Sequence, residues 1–271
     1  MKLTFQRLDP AGNITLLVMT PVPKEDYQTI AAKLLSIREL DAEQVGFLVP
    51  PQLGGVVRLE MMGGEFCGNA LRCAGLYYAA SQGFRRSRTF PVEISGYDAP
   101  LSVQVNPLTG QVMAEMPLPK EILPCQLFGE SAKAVSIPGI LHAISQLDQK
   151  PNEEEIRQTL RQLTETHGVP AAGIMFWQFR KKSMEPVVYV RDTDSLYYER
   201  SCASGSTAAA AWNALNARKD GQHKLDIRQP GGTISTTAFV KDSKLQQITI
   251  GGKVNLGPIY DIDFCCQNSM S

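Results

Sequence analysis

The sequence lacks an excess of charge of either sign. Lys plus Arg and Asp plus Glu both number 27 in 271 residues, so the formal net charge is zero. Positive charge is clustered only briefly, at Arg85, Arg86 and Arg88. Nucleic acids and anionic membrane surfaces attract proteins that concentrate positive charge. The charge balance therefore argues against both as partners.

Long apolar runs are also missing. The amino terminus, MKLTFQRLDPAGN, alternates polar and apolar residues and lacks the unbroken apolar run that a signal peptide needs. No stretch approaches the roughly 18 apolar residues of a membrane span. We therefore expect a cytoplasmic protein that does not enter a membrane. In that reducing compartment its 6 cysteines should be packed, ligating or catalytic thiols and not disulfides.

Metal-ligand patterns are absent as well. The chain has no CxxC pair, and its 3 histidines, His142, His167 and His223, do not fall at spacings typical of zinc ligands. We therefore expect no metal. Four of the cysteines are expected to have the ordinary role of small buried apolar residues: Cys73, Cys125, Cys265 and Cys266.

What the sequence does contain is one order of elements, repeated. In each half a helix and a strand pair precede a cysteine in a glycine-containing turn, and a second helix and more strands follow. The predicted helices are DYQTIAAKLLSIREL, LRCAGLYYAASQ, NEEEIRQTLRQLTETHG and TAAAAWNALNARKD. A Pro-rich stretch, MPLPKEILPC, separates the halves, and VSIPGILHAI is predicted to be a weak strand or a loop. The pattern indicates a mixed α/β fold with an internal duplication.

Two cysteines lie in equivalent turns, where a strand gives way to a helix. Cys67 lies in GGEFCGNALRC and Cys202 in ERSCASGSTAAAAW. The small residues that follow leave the first-turn N–H groups unobstructed, and these groups have no partner within a helix. Such a helix end binds anions, and a substrate carboxylate is the natural candidate. The same partial positive charge is expected to lower the pKa of each thiol.

Two thiols on opposite faces of one carbon suit the inversion of a stereocentre. One removes a proton from the first face while the other delivers a proton to the second. The charge that develops spreads into the substrate carboxylate, so donors aimed at its oxygens stabilise the transition state more than the ground state. From the turns alone, catalysis and simple packing are equally open for Cys67 and Cys202.

Both segments resemble the signatures of the diaminopimelate epimerase family of racemases, which do not use pyridoxal phosphate and carry CGN at the first cysteine and CGSG or CGTG at the second. Further similarities follow in order: AGN near the start, AEQVGF, PGG at 230–232 and ITIGGKV near the end. The resemblance implies two similar domains, each a curved, mostly antiparallel sheet around a central helix, with the active site in the cleft between them. It places the domains at residues 1–118, completed by the tail 256–271, and at residues 119–255.

The resemblance also implies roles for particular residues. Cys67 and Cys202 correspond to the base and acid that act on an amino acid without a cofactor. Polar groups around the substrate are implied at Asn13, Gln44, Gly68, Asn69, Ala203 and Ser204, the last four as carboxylate donors. Ala203 replaces a family glycine, which would matter only if the turn needs a positive φ. Members of the family are often dimers, so a homodimer is open.

One departure from the family bears on the substrate. Diaminopimelate epimerases carry a Glu-Arg pair well upstream of the second cysteine, whereas here Glu199 and Arg200 directly precede Ser201 and Cys202. The motifs GxEFCGNA, ExSCxSG[ST], EQVGF and QPGG are most similar to those of the histidine racemases of opine-metallophore synthesis. The resemblance therefore favours histidine as the substrate, with Glu199 binding its amine or imidazole.

Several alternatives remain at this point. If Glu199 does not bind the substrate, it is a surface charge at the end of a strand. His142 either lines the side-chain pocket or is a hydrogen-bonded histidine of the core. If the substrate is not histidine, the enzyme is a diaminopimelate epimerase or a racemase of another amino acid. An isomerase of the phenazine-biosynthesis type would share the fold but lack the cysteine pair, and a non-catalytic amino-acid-binding protein would need no thiols on both faces.

Overall fold

Strands predominate in both halves of the chain, and α-helices lie between some of them. The computed structural model describes residues 1–147 and 149–263. The first half contains β1 (Lys2–Asp9), β2 (Thr15–Val18), α1 (Tyr27–Leu35), β3 (Gln44–Val49), β4 (Arg58–Met61), α2 (Gly68–Ser81), β5 (Arg88–Ile94), β6 (Leu101–Asn106) and β7 (Gln111–Glu115). The second half contains β8 (Glu121–Leu127), β9 (Glu130–Ile137), β10 (Ile140–Ser145), α3 (Glu153–His167), β11 (Ala171–Gln178), β12 (Ser183–Val190), β13 (Ser195–Tyr198), α4 (Ala203–Asn216), β14 (Gly221–Gln229), β15 (Gly232–Lys241), β16 (Lys244–Lys253) and β17 (Asn255–Asp263). The mixed α/β class expected from the sequence is confirmed.

The two halves share one order of strand pairings. In the first half β1 pairs antiparallel with β2, β2 parallel with β3, β3 antiparallel with β4, and β4 parallel with β5. Antiparallel pairings then continue from β5 through β6 to β7. The second half repeats this order from β9 to β12 and on through β14, β15 and β16. Since β7 also pairs with β16, the duplicated halves are joined along equivalent strands.

The last described strand returns to the first half. β17 pairs antiparallel with β1, from Lys2 opposite Asp263 to Asp9 opposite Asn255. Residues 264–271, with the two cysteines at 265 and 266, lie outside the described residues. The domain boundary between residues 118 and 119 stays a prediction from the sequence.

One helix in each half, α2 or α4, lies in the core. Both helices are rich in alanine and glycine, whose small side chains let the strands approach closely. A Cβ at Gly75, for example, would lie 2.6 Å from Cγ1 of Val103 on β6. A helix without a polar face belongs inside a fold. One cluster of buried side chains joins the two helices across the halves, and it includes Leu71, Ala74, Ala210 and Ala211.

The other two helices cover the sheets from outside. α3 begins with a capping box formed by Asn152 and Glu155 and ends at Gly168, whose φ of 63° suits a glycine. Its buried residues recur at helical spacing and include Ile156 and Leu160. No helix among the described residues is both long and apolar enough to cross a membrane.

Three segments differ from the prediction. α1 ends at Leu35, before the predicted end, because the chain tightens into a 3-10 turn at Arg38–Leu40. β8 begins within the Pro-rich stretch, and VSIPGILHAI forms the central part of the β9–β10 hairpin, which turns at Gly139 with a φ of 82°. Pairing with neighbouring strands holds these two segments extended, and such long-range pairing is not visible in local sequence.

Candidate active site

Each of the two predicted cysteines caps a core helix. The Sγ of Cys67 accepts a hydrogen bond from the Ala70 N–H at 3.5 Å, and the Sγ of Cys202 accepts one from the Gly205 N–H at 3.3 Å. Their backbones agree, with φ and ψ of −136° and 111° at Cys67 and −117° and 112° at Cys202. Because the sulfur caps the helix directly, α2 and α4 begin earlier than their apolar patterns predict. The duplicated fold therefore places both thiols in one local geometry.

The starts of α2 and α4 lie against each other. A Cβ at Gly68 would come within 3.0 Å of the Cβ of Ala203. The Nδ2 of Asn69 donates to the carbonyl oxygen of Ser201 at 3.1 Å. Two helix ends from opposite halves thus meet, and their first-turn N–H groups lack partners within the helices. An anion that binds both helix starts at once requires them to meet in this way.

The replacement of the family glycine by Ala203 creates no strain. Ala203 is the first residue of α4 and is not among the described residues with a positive φ. An alanine therefore fits the backbone conformation of this turn.

Polar side chains from the first half surround Cys67. Gln44 lies within hydrogen-bonding reach of the Cys67 sulfur, and its Nε2 donates to the Oδ1 of Asn13 at 2.8 Å. Asn13 in turn donates to Glu43 at 2.6 Å, and Asn69 donates to Asn13 at 3.1 Å. The structure thus brings the predicted residues Asn13, Gln44 and Asn69 together. It adds Glu43, which the sequence analysis did not single out although it lies in EQVGF.

A second set of polar groups surrounds Cys202. The Cys202 thiol lies within hydrogen-bonding reach of the Glu199 carboxylate and 3.5 Å from the Oγ of Ser204. That hydroxyl also contacts the Nε2 of His142 at 2.8 Å. His142 is fully buried, and this contact is compatible with both roles considered for it, a side chain of the substrate pocket and a hydrogen-bonded histidine of the core. Gln229 of QPGG accepts from the Cys202 N–H at 2.8 Å, a contact that the sequence analysis missed.

Comparisons with known proteins agree with this geometry. Residues 2–258 match the family model described as the histidine racemase CntK N-terminal domain. The chain belongs to the histidine racemase family. A histidine racemase from Fusobacterium nucleatum is 32% identical over 238 residues, which cover 85% of this chain and 87% of the relative. A histidine racemase from Staphylococcus aureus strain Mu50 is 26% identical over 258 residues, which cover 92% of this chain and 93% of the relative.

Solved structures share the racemase fold at low identity. A phenazine biosynthesis protein of the PhzF family from Bacillus anthracis has a TM-score of 0.69 at 15% identity and covers 97% of this chain and 100% of its own. A probable proline racemase from Agrobacterium radiobacter K84 has a TM-score of 0.68 at 12% identity, and the match covers 99% of this chain and 95% of that protein. These two likenesses show the fold alone. Family membership makes the protein an isomerase of the amino-acid racemase class, whose substrate is a small amino acid.

Burial controls protonation in this racemase. It raises the pKa of Cys67 to about 11 and the pKa of Cys202 well above its ordinary value. The N–H groups at the helix starts act in the opposite direction, but the loss of hydration outweighs them. The expectation that the helix ends would lower the thiol pKa values was therefore wrong for the net shift.

Two further titratable groups of the racemase are shifted. Burial raises the pKa of Glu199 to about 7 and lowers the pKa of His142 to about 3. The His142 ring is therefore neutral, whereas Glu199 gains or loses its proton near neutral pH. The Oε2 of Glu199 is buried without a hydrogen-bond partner among the described residues. Glu199 is therefore not a surface charge, which was the alternative.

The remaining described cysteines of the racemase lie elsewhere. Cys73 is fully buried in the core of α2, as expected. Cys125 is only half-buried and lines a cavity of about 520 Å³ with Lys133 and Trp212, so the expected core position was wrong for it. It lies on β8, most of whose side chains are exposed or only half-buried. Among the described residues, no group of three or more His, Cys, Asp or Glu side chains could hold a metal ion.

The close approach of the two helices leads to a testable expectation for Gly68. We expect Gly68→Ala to lower kcat/KM by up to about 100-fold, since an added methyl would collide with Met116 and Ala203 and separate the helix starts. The reverse change, Ala203→Gly, should stay within about threefold of the parent because no new contact forms. Racemisation rates and thermal unfolding of both variants check this. Full activity in Gly68→Ala would mean that the spacing of the helices is not critical.

Proposed function

We propose that this racemase interconverts L-histidine and D-histidine without a cofactor, with Cys67 and Cys202 acting on opposite faces of the substrate Cα. The observation that carries the proposal is the pair of thiols, each capping a core helix, at two helix starts that contact each other. A packing role for both cysteines would not need this matched placement.

The proposed reaction moves one proton at each face. The substrate carboxylate binds the N–H groups of Gly68, Asn69, Ala203 and Ser204. One cysteine, as thiolate, takes the α-proton, and the electron pair of the broken C–H bond spreads into the carboxylate. The opposite thiol then protonates the other face and becomes a thiolate. Carbon is neither oxidised nor reduced, and either turnover in the reverse direction or proton exchange of the two sulfurs with water restores the first protonation pattern.

Substrate binding supports formation of the thiolate. A thiol whose pKa is raised by burial is a poor base at neutral pH. The substrate ammonium introduces positive charge close to both sulfurs, which favours their negative form. The Ala70 N–H already donates to Cys67, and the Ser204 hydroxyl lies beside Cys202. These donors stabilise whichever sulfur carries the charge.

Glu199 is the proposed partner of the substrate amine or imidazole. Buried polar atoms in proteins are nearly always hydrogen-bonded, and the exceptions call for an explanation. The unpaired Oε2 of Glu199 would be explained by a donor from the substrate. A cationic ammonium or imidazolium would satisfy it and would also hold the carboxylate ionised.

Arg200 supports a substrate with a single carboxylate. Its Nη1 donates to Asp41 at 2.7 Å, and its Nε donates to Glu43. Since two acids from the first half already balance the guanidinium, it is not free to bind a second substrate carboxylate. Diaminopimelate would bring such a group into the site, whereas histidine brings an imidazole. The arrangement therefore favours histidine over diaminopimelate.

The fate of the product follows from the resemblance alone. We propose that D-histidine enters the synthesis of an opine-type metallophore. A neighbouring gene for a nicotianamine-like synthase or an opine dehydrogenase would support this, and neighbouring genes for cell-wall synthesis would count against it. Cytoplasmic location, lack of nucleic-acid partners and a homodimer stay predictions from the sequence.

A substrate panel tests the proposed function. Reduced protein is incubated with individual L-amino acids and with diaminopimelate, without cofactor, and the stereoisomers are separated by chiral chromatography. We expect D-histidine to form, and the Cys67→Ser/Cys202→Ser double variant serves as the control. Turnover of a different amino acid would reject histidine but keep the two-thiol chemistry. Binding without turnover of any substrate would favour the amino-acid-binding alternative.

A further inference from the structure

Arg72 on α2 is a buried cation with incomplete pairing. Its side chain is fully buried. Its Nη2 donates to the Pro10 carbonyl oxygen at 3.2 Å and to the Oδ1 of Asn69 at 2.8 Å. Its Nε and Nη1 are buried without hydrogen-bond partners among the described residues. Burying a charge is costly unless it is fully paired, so a cation held in this way is hard to explain by stability alone.

We propose that Arg72 is a positioning residue for racemisation, which fixes the amide of Asn69 and supplies a permanent positive charge to α2, the helix that Cys67 caps. The inference rests on the proposed two-cysteine function, because it assigns Arg72 a role at the first of those cysteines.

The contact with Asn69 determines which way that amide points. Arg72 has only donors, so it must face the amide oxygen of Asn69. The Nδ2 of Asn69 is therefore directed to the Oδ1 of Asn13 and the carbonyl oxygen of Ser201, each at 3.1 Å. With the amide reversed, its oxygen would face these two acceptors. Arg72 thus holds the contact that joins the two cysteine turns.

The charge of Arg72 acts on nearby thiols. Cys73 and Cys67 are the thiols with which the guanidinium interacts. Burial raises the pKa of Cys73 to about 12, so Cys73 stays protonated, with Thr15 and Asp9 as its other polar neighbours. Cys67 is then the sulfur whose negative form Arg72 can stabilise.

Acidic groups around Cys67 carry the negative charge that Arg72 must compensate. Glu199 and Glu65 are acids whose charge opposes a thiolate there, whereas the Ala70 N–H donates to the sulfur and the Gln44 side chain lies within hydrogen-bonding reach of it. Both charged groups among these neighbours of the sulfur are carboxylates, whereas the interaction of Arg72 with it has the opposite sign. The guanidinium therefore compensates them from inside the core.

Alkylation of Cys67 tests the electrostatic role without substrate. The rate of its reaction with iodoacetamide, measured across a pH series by peptide mass spectrometry, reports its thiolate fraction. We expect Arg72→Met to lower this rate about tenfold or more at neutral pH and to move the pH profile of kcat/KM toward higher pH. The melting temperature should stay level or rise, since an apolar side chain of similar length replaces an incompletely paired buried charge.

Two further variants separate the roles. Arg72→Lys keeps the charge but loses the planar fork, so it should preserve most of the alkylation rate while still lowering kcat, because Asn69 loses its donor. Cys73→Ala should leave Cys67 alkylation unchanged. An unchanged alkylation profile in Arg72→Met, or the same shift in Cys73→Ala, would overturn the inference. If the parent protein failed to racemise any amino acid while the alkylation shift was present, the proposed function would fail instead.

Discussion

Replacing either Cys67 or Cys202 by serine is expected to lower the racemisation rate by about 10³–10⁴-fold. A serine hydroxyl is a far weaker acid than a thiol, so it supplies neither a base nor an acid near neutral pH. Because both thiols cap their helices in the same geometry, the two losses should be similar in size. Rates measured from L-histidine and from D-histidine check the expectation in both directions.

Two other cysteines provide matched controls for these variants. Cys73 is buried within α2 and Cys125 lies on β8, and neither has a predicted role in binding the substrate or moving a proton. Cys73→Ala and Cys125→Ser should each retain activity within a few-fold of the parent. Activity above about a tenth of the parent in either Cys67→Ser or Cys202→Ser would contradict the two-base mechanism.

Glu199→Gln is expected to have the second-largest effect on activity. Glutamine keeps the size of the side chain but cannot form a charged hydrogen bond with the substrate. Loss of such a bond should lower kcat/KM about 10–100-fold. The parent should also lose activity as the pH falls through about 7, where the carboxylate takes up a proton. The variant should lack this decline, and a pH profile that keeps it would assign it to another group.

The same substitution should change stability in the opposite direction. The pKa of Glu199 is about 7 in the folded protein against an ordinary value of 4.5. Between these values the folded state binds the proton more tightly than the unfolded state, so stability falls as the pH rises. Glu199→Gln removes this cost and should stabilise the fold above pH 7, on the order of 1–3 kcal/mol. Denaturant unfolding at acidic and alkaline pH would show a gain confined to the alkaline side.

The sequence was sufficient to predict where the two thiols lie. Cys67 and Cys202 are each followed by small residues and an apolar helical pattern, which are local signals. The duplication was also readable, because it repeats the order of elements. By contrast, VSIPGILHAI was predicted only as a weak strand or a loop, because its Pro-Gly pair interrupts the apolar pattern; in the structure this pair forms the turn between β9 and β10.

Properties that depend on packing could not be predicted. The sign of the thiol pKa shifts follows from burial, which local sequence does not reveal. The contact of His142 with Ser204, and the incomplete pairing of Arg72, arise only once distant segments meet. Glu43 lies in EQVGF and Gln229 in QPGG, but nothing in these motifs distinguishes the two residues from neighbours that do not reach the site.

The most direct test of the two-base proposal is the position of deuterium early in the reaction. Reduced protein converts L-histidine in deuterated water, and both enantiomers are recovered at low conversion. If separate thiols act on the two faces, D-histidine should carry deuterium at Cα while the remaining L-histidine keeps its original hydrogen. Equal early deuteration of both enantiomers, or D-histidine that retains the substrate hydrogen, would indicate a single base and contradict the assignment of Cys67 and Cys202.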